Sequence, residues 1–123
     1  MQRRSSSSVR VHYPRFSRAE LVRKITARLP RLNGRLPLGL VVLFGSYAKG
    51  RHTAASDVDL LVVYKGGPRD EAYALVREEL ASPRLEPHLY AESEYGEMRD
   101  TIARMVAGGL VLFDGRAKEQ ASG

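Results

Sequence analysis

Phe44-Gly45-Ser46-Tyr47-Ala48-Lys49-Gly50-Arg51 and, after a short gap, Ser56-Asp57-Val58-Asp59-Leu60-Leu61-Val62-Val63 are the stretches that decide how this chain reads. An apolar run from Leu40 to Phe44 ends in Gly45-Ser46, and ten residues later Asp57-Val58-Asp59 opens a second apolar run. Side chains alternate across a strand, so Asp57 and Asp59 share one face while Val58 and Leu60 share the other. Two carboxylates side by side repel unless positive charge sits between them. Mg²⁺ answers that demand, because it takes oxygen ligands and is commonly shared between one or two carboxylates and substrate phosphates. Gly45-Ser46 supplies the other half of such a site. Glycine lets backbone approach a phosphate closely, and a helical turn starting there aims free N–H groups at the anion.

Phosphoryl and nucleotidyl transfer use clustered negative charge for metal ions and fixed donors for the triphosphate. Two ions about 3.5–4 Å apart can serve the attacking and departing oxygens together. A third acid is therefore expected on a neighbouring strand. Glu86, early in Leu85-Glu86-Pro87-His88-Leu89-Tyr90, is the best placed, with Leu85, Pro87 and Leu89 facing the core. His88 lies two residues on and so shares its face, as a polar outward residue or as a group that orients an acceptor hydroxyl. Lys49 and Arg51 are candidates to neutralise phosphate charge, and Ser46 is placed to cap the helical turn. His52 reads as solvated.

The spacing of Gly45-Ser46 and Asp57-Val58-Asp59 resembles the nucleotidyltransferase superfamily related to DNA polymerase β. Its signature is Gly-Ser, about ten residues, then Asp-x-Asp. The chain is most similar to the minimal nucleotidyltransferases, small prokaryotic proteins often partnered with a HEPN-domain protein. The resemblance spans roughly Leu38 to Phe113. It implies an α+β fold, a small mixed β-sheet with helices packed on one side. It also implies ATP as substrate and Mg²⁺ as cofactor, two ions with Mn²⁺ as a substitute. Asp57, Asp59 and Glu86 become the catalytic and metal-holding carboxylates, and Gly45, Ser46, Lys49 and Arg51 the nucleotide-binding residues. The family's third carboxylate is frequently aspartate; here it is Glu86, followed by a proline.

A chain of 123 residues is expected to form one domain with one core and no separate substrate domain. No apolar stretch approaches the ~20 residues that span a bilayer. The Ser-rich basic start, Met1 to Ser8, lacks the apolar segment of a signal peptide. Cysteine is absent, which excludes disulfide frameworks and zinc–thiolate sites. A cytoplasmic protein is the resulting expectation. Charge is uneven: residues 1–51 hold 12 Lys/Arg and one acid, whereas residues 52–123 hold 8 Lys/Arg and 13 acids. Such asymmetry suits a phosphate-binding or acidic-partner surface. Single-stranded nucleic acid is disfavoured, because aromatic residues do not interleave with the basic cluster.

Along the chain we expect a polar basic arm (1–16), a nucleotidyltransferase domain (17–115) and a polar tail (116–123). Ser17 with Glu20 reads as a capping box. The helix that follows carries Leu21, Val22, Ile25 and Leu29 on one face and is expected to stop at Pro30. Arg31 to Pro37, with Asn33-Gly34, reads as a loop. Strands are expected at Leu38–Phe44, Asp57–Tyr64 and Leu85–Ala91, with a last short one at Leu110–Phe113. One short helical turn should follow Gly45, then a polar loop from His52 to Ser56. Helices are expected at Arg69–Leu80, ended by Ser82-Pro83, and from Ser93 to about Ala107.

The resulting expectation is transfer of AMP from ATP to a hydroxyl, with the acceptor brought by another protein, an RNA end or a second copy of the chain. The resemblance implies a tyrosine of a HEPN-type ribonuclease toxin, which would make this chain an antitoxin. Two alternatives stand beside it: a catalytically idle antitoxin that docks on its partner, and a transferase acting on a small molecule of aminoglycoside type.

Overall fold

A computed structural model describes residues 18–49, 57–82 and 84–115. The expected arm, the Ser17 cap, the loop from His52 to Ser56, Arg51, Pro83 and the tail lie outside them. Helix α1 (Arg18–Arg35) leads into strand β1 (Leu38–Phe44), then β2 (Val58–Tyr64), α2 (Ala72–Leu80) and β3 (Leu85–Ala91). Two short helices follow, α3 (Glu92–Tyr95) and α4 (Arg99–Met105), and β4 (Leu110–Asp114) closes the order. The sheet runs β3-β2-β1-β4. β1 is antiparallel to β2 and to β4, while β2 and β3 are parallel and joined through α2. This is the small mixed sheet of an α+β fold. No helix among the described residues is long and apolar enough to cross a membrane.

Continuous apolarity in β1 reflects a strand in the middle of the sheet, buried on both faces. On one face the main core joins Val41, Leu43, Leu60 and Val62 to Ile25 and Leu32 of α1 and Val76 of α2. On the other, a smaller cluster of Leu40, Val42, Phe44, Leu61 and Val63 is capped by Ile102 of α4. The two long helices thus share one side, and the site face of the sheet is only partly roofed.

The expected stop at Pro30 is corrected: α1 continues through it to Arg35. An interior proline removes one helical hydrogen bond and costs about 3 kcal/mol. Leu32 and Leu36 beyond it are fully buried, each stabilising by about 1.5–3 kcal/mol, which outweighs that cost. Asn33-Gly34 therefore belongs to the last helical turn rather than a loop, and Asn33 Oδ1 accepts the Leu38 N–H at 2.9 Å. The single helix expected from Ser93 to Ala107 is also corrected. Gly96, a poor helix former, lies between α3 and α4. The Glu94 carboxylate, not Ser93, accepts the N–H at the start of α3, from Ala91 at 2.8 Å. After α4, Gly109 has no room for a side chain: a Cβ there would lie 2.8 Å from the carbonyl oxygens of Leu43 and Val106.

Part of the basic N-terminal half is used internally. Arg18 donates to the Ala48 carbonyl at 2.7 Å, Arg28 to the Glu79 carbonyl at 3.1 Å, and Arg35 to the Glu79 carboxylate at 2.9 Å. These bonds tie α1 to the turn after β1 and to α2.

Candidate active site

Three strand ends meet where the two sequence motifs meet. β1 stops at Phe44, and Gly45 turns the chain with φ +81°, a conformation open to glycine and strained for other residues. The Lys49 N–H then donates to the Gly45 carbonyl at 3.2 Å, closing the expected helical turn. Ser46 and Lys49 are exposed on it, whereas Tyr47 and Ala48 are buried. Burial pushes the Tyr47 phenol above its ordinary pKa, opposed by the positive charge of Arg84.

Asp59 lies opposite Phe44 in one register and opposite Glu86 in the other. It is thereby the carboxylate common to all three strand ends. Alternation places it with Leu61 and Val63 on the partly roofed face, while Val58 and Leu60 enter the main core. Glu86, His88 and Tyr90 share that face because Leu85, Leu89 and Ala91 pack on the other. The proline after Glu86 is accommodated because β3 is an edge strand.

The Asp59 carboxylate is held from two sides. Its Oδ1 lies 3.3 Å from His88 Nε2. Its Oδ2 lies over Gly45, where any Cβ would overlap it. The His88 ring in turn packs against Phe44, centroids 5.0 Å apart and tilted by 59°. Asp57, just ahead of β2, is more open, and its Oδ1 faces the Arg84 guanidinium at 3.9 Å. Arg84 takes a left-handed backbone, φ +62°, and its carbonyl accepts the Val58 N–H at 2.9 Å.

Gly45, Asp59 and Glu86 are thus neighbours, with Asp57 at the open end, and Ser46 and Lys49 follow on the turn. Arg51 lies outside the described residues. Among the described residues no three His, Asp or Glu side chains gather as a ready metal-ligand group. The donor chemistry nevertheless fits a hard divalent cation. Asp57 and Asp59 offer only oxygen, with side chains 63% and 30% exposed, so substrate phosphates can complete the coordination. One contact and one residue escaped the sequence reading. Alternation places His88 on the Glu86 face, but its contact with Asp59 follows only once β2 and β3 are paired, whereas Arg84 reaches Asp57 through a backbone turn that no residue type announces.

Similarity to known proteins bears on the domain and its fold. Residues 22–109 match the model of a nucleotidyltransferase domain. Curated proteins yield no significant match. Among solved structures, a protein of Sulfolobus solfataricus assigned to the nucleotidyltransferases superposes with a TM-score of 0.58 at 19% identity, covering 82% of this chain and 86% of that one. A mutant of the toxin–antitoxin MntA–HpeT gives 0.54 at 17% identity, covering 78% of each chain. A toxin–antitoxin structure with AMP-PNP gives 0.52 at 18% identity, again over 78% of each. These likenesses are likenesses of fold. Because the domain match runs from within α1 to the residue before β4 and takes in both motifs, this chain belongs to the nucleotidyltransferase domain family.

Proposed function

We propose that the protein transfers AMP from ATP to a hydroxyl of a partner protein, and that this modification is how it acts as an antitoxin. The observation that carries the reading is the seating of the Gly45 turn directly on the Asp59 carboxylate. A phosphate-binding turn and a metal-binding acid are then one site rather than two unrelated features.

In this reading the backbone and hydroxyl of Ser46 bind the triphosphate at the start of the turn, and Lys49 and Arg51 balance its charge. Asp57 and Asp59 would hold Mg²⁺, with Glu86 beside Asp59 as a further carboxylate. The cation, when bound, supplies positive charge to the triphosphate as charge develops on the departing oxygen. The acceptor oxygen forms a bond to the α-phosphorus as the bond from that phosphorus to the β-phosphate oxygen breaks, and pyrophosphate leaves. Glu86, exposed and next to Asp59, accepts the proton of the acceptor hydroxyl.

The site lies on a partly roofed face of the described domain, open to an acceptor brought by another protein. Two of the similar folds belong to toxin–antitoxin structures, one of them with AMP-PNP. Those likenesses favour ATP and a toxin partner over an aminoglycoside-type small molecule; the family resemblance of the two motifs adds a HEPN-type toxin with a tyrosine as acceptor. Intact mass of the co-expressed partner, with and without the Asp59→Asn change, is the test. Addition of AMP units that vanishes in the variant supports transfer. An unmodified partner in a formed complex overturns it in favour of an antitoxin that acts by docking.

A further inference from the structure

We infer that His88 sets the direction of the Asp59 carboxylate, turning Oδ2 toward the Gly45 turn; the inference rests on the transferase reading above. An ionised carboxylate only accepts hydrogen bonds, so the 3.3 Å contact to Oδ1 requires the hydrogen on His88 Nε2 in either protonation state of the ring. That bond occupies Oδ1. Oδ2 is left over Gly45, on the side where the triphosphate enters.

His88 is well placed to hold this direction. It stands opposite Leu61 in the β2–β3 register, two residues beyond the Asp59–Glu86 pair. It reaches Asp59 diagonally along one face of two paired strands. Phe44 lies against the ring, so the imidazole cannot swing away without losing that packing. Residues of β1, β2 and β3 thus cooperate on one carboxylate. His88 is a positioning residue: with Nε2 engaged by Asp59, it acts through that side chain and not on the acceptor.

The contrast is between His88→Phe, which keeps a ring against Phe44 but has no donor, and His88→Gln, which returns an amide N–H near the position of Nε2. Mn²⁺ binding to the nucleotide-free full chain, followed by electron paramagnetic resonance, reads the site without catalysis. Loss of a residue that orients a ligand typically weakens metal affinity about 10–100-fold, and that is the loss expected for His88→Phe. His88→Gln should recover most of it. In an Asp59→Asn background the two variants should not differ. Nitrogen NMR of the wild-type imidazole should place the hydrogen on Nε2, an arm that holds even if a variant fails to fold. Equal Mn²⁺ affinity in wild type and folded His88→Phe, or a hydrogen only on Nδ1, overturns the role of His88 and leaves the transferase reading standing. A wild-type protein that binds neither Mn²⁺ nor ATP overturns the transferase reading and this inference with it.

Discussion

Gly45→Ala is the substitution that presses hardest on the site, because it tests strain and contact together. At φ +81° a residue with a side chain is held in a sparsely populated backbone region, at a cost of about 1–3 kcal/mol. The new methyl would overlap Asp59 Oδ2 and lie 3.2 Å from Cγ and 3.3 Å from Cβ of the same side chain. Rotating the carboxylate relieves the first contact but breaks its bond to His88, and the other two remain tight. We expect a total loss of about 2–3 kcal/mol. Roughly 4 °C per kcal/mol for a domain of this size puts the melting temperature about 10 °C lower. Urea unfolding of Gly45→Ala in the wild-type and Asp59→Ala backgrounds separates the terms. With Asp59 truncated only the backbone strain is left, so the cost should fall by about 1 kcal/mol. An equal cost in both backgrounds would show that the turn does not rest on Asp59. No cost in either would refute the strained geometry itself.

Asp57→Asn and Asp59→Asn should each abolish AMP transfer while leaving the urea midpoint unchanged or slightly raised, since neighbouring carboxylates repel when no cation is bound; full Mg²⁺-dependent activity in either variant contradicts the site. Pro30→Ala should stabilise the protein by about 1–2 kcal/mol, restoring an interior helical hydrogen bond against a smaller gain in unfolded-chain entropy. Leu32→Ala should cost about 2–5 kcal/mol, and if both changes are neutral by chemical denaturation then α1 ends where the proline stands. Tyr47 carries a pH signature: burial raises its folded-state pKa. Its stabilising effect is therefore complete below the unfolded value of about 10 and is lost as pH rises through the folded one. Wild-type stability should fall more steeply on the alkaline side than that of Tyr47→Phe, and parallel curves would contradict the burial.

What the sequence made legible was whatever depends on period and punctuation. β1, β2, β3 and β4 lie where the apolar runs and their Gly, Asp and Pro boundaries place them, to within a residue. The convergence of Gly45 with Asp59 was implied by two motifs at adjoining strand ends. Pro30 misled because local propensity is overruled when burial beyond it is large enough, and Leu32 and Leu36 supply that burial. The break between α3 and α4 was hidden for the converse reason. Tyr95, Met98, Ile102 and Met105 keep a helical spacing through it and all join the second cluster. Strand order was illegible too: nothing local states that β4 pairs with β1, which sets β3 at an edge and makes room for Pro87. Arg84 was invisible because its place beside Asp57 comes from a left-handed backbone at the start of β3.

In the proposed reaction, the site joining the Gly45 turn to Asp59 moves AMP from ATP onto a partner. The direct measurement is incubation of the purified protein with α-labelled ATP, Mg²⁺ and the protein encoded beside it, followed by gel separation and intact mass of both chains. Label and one or more AMP mass units on the partner, released pyrophosphate, and loss of all three with Asp59→Asn are expected. ATP binding and complex formation with no label on the partner would contradict it.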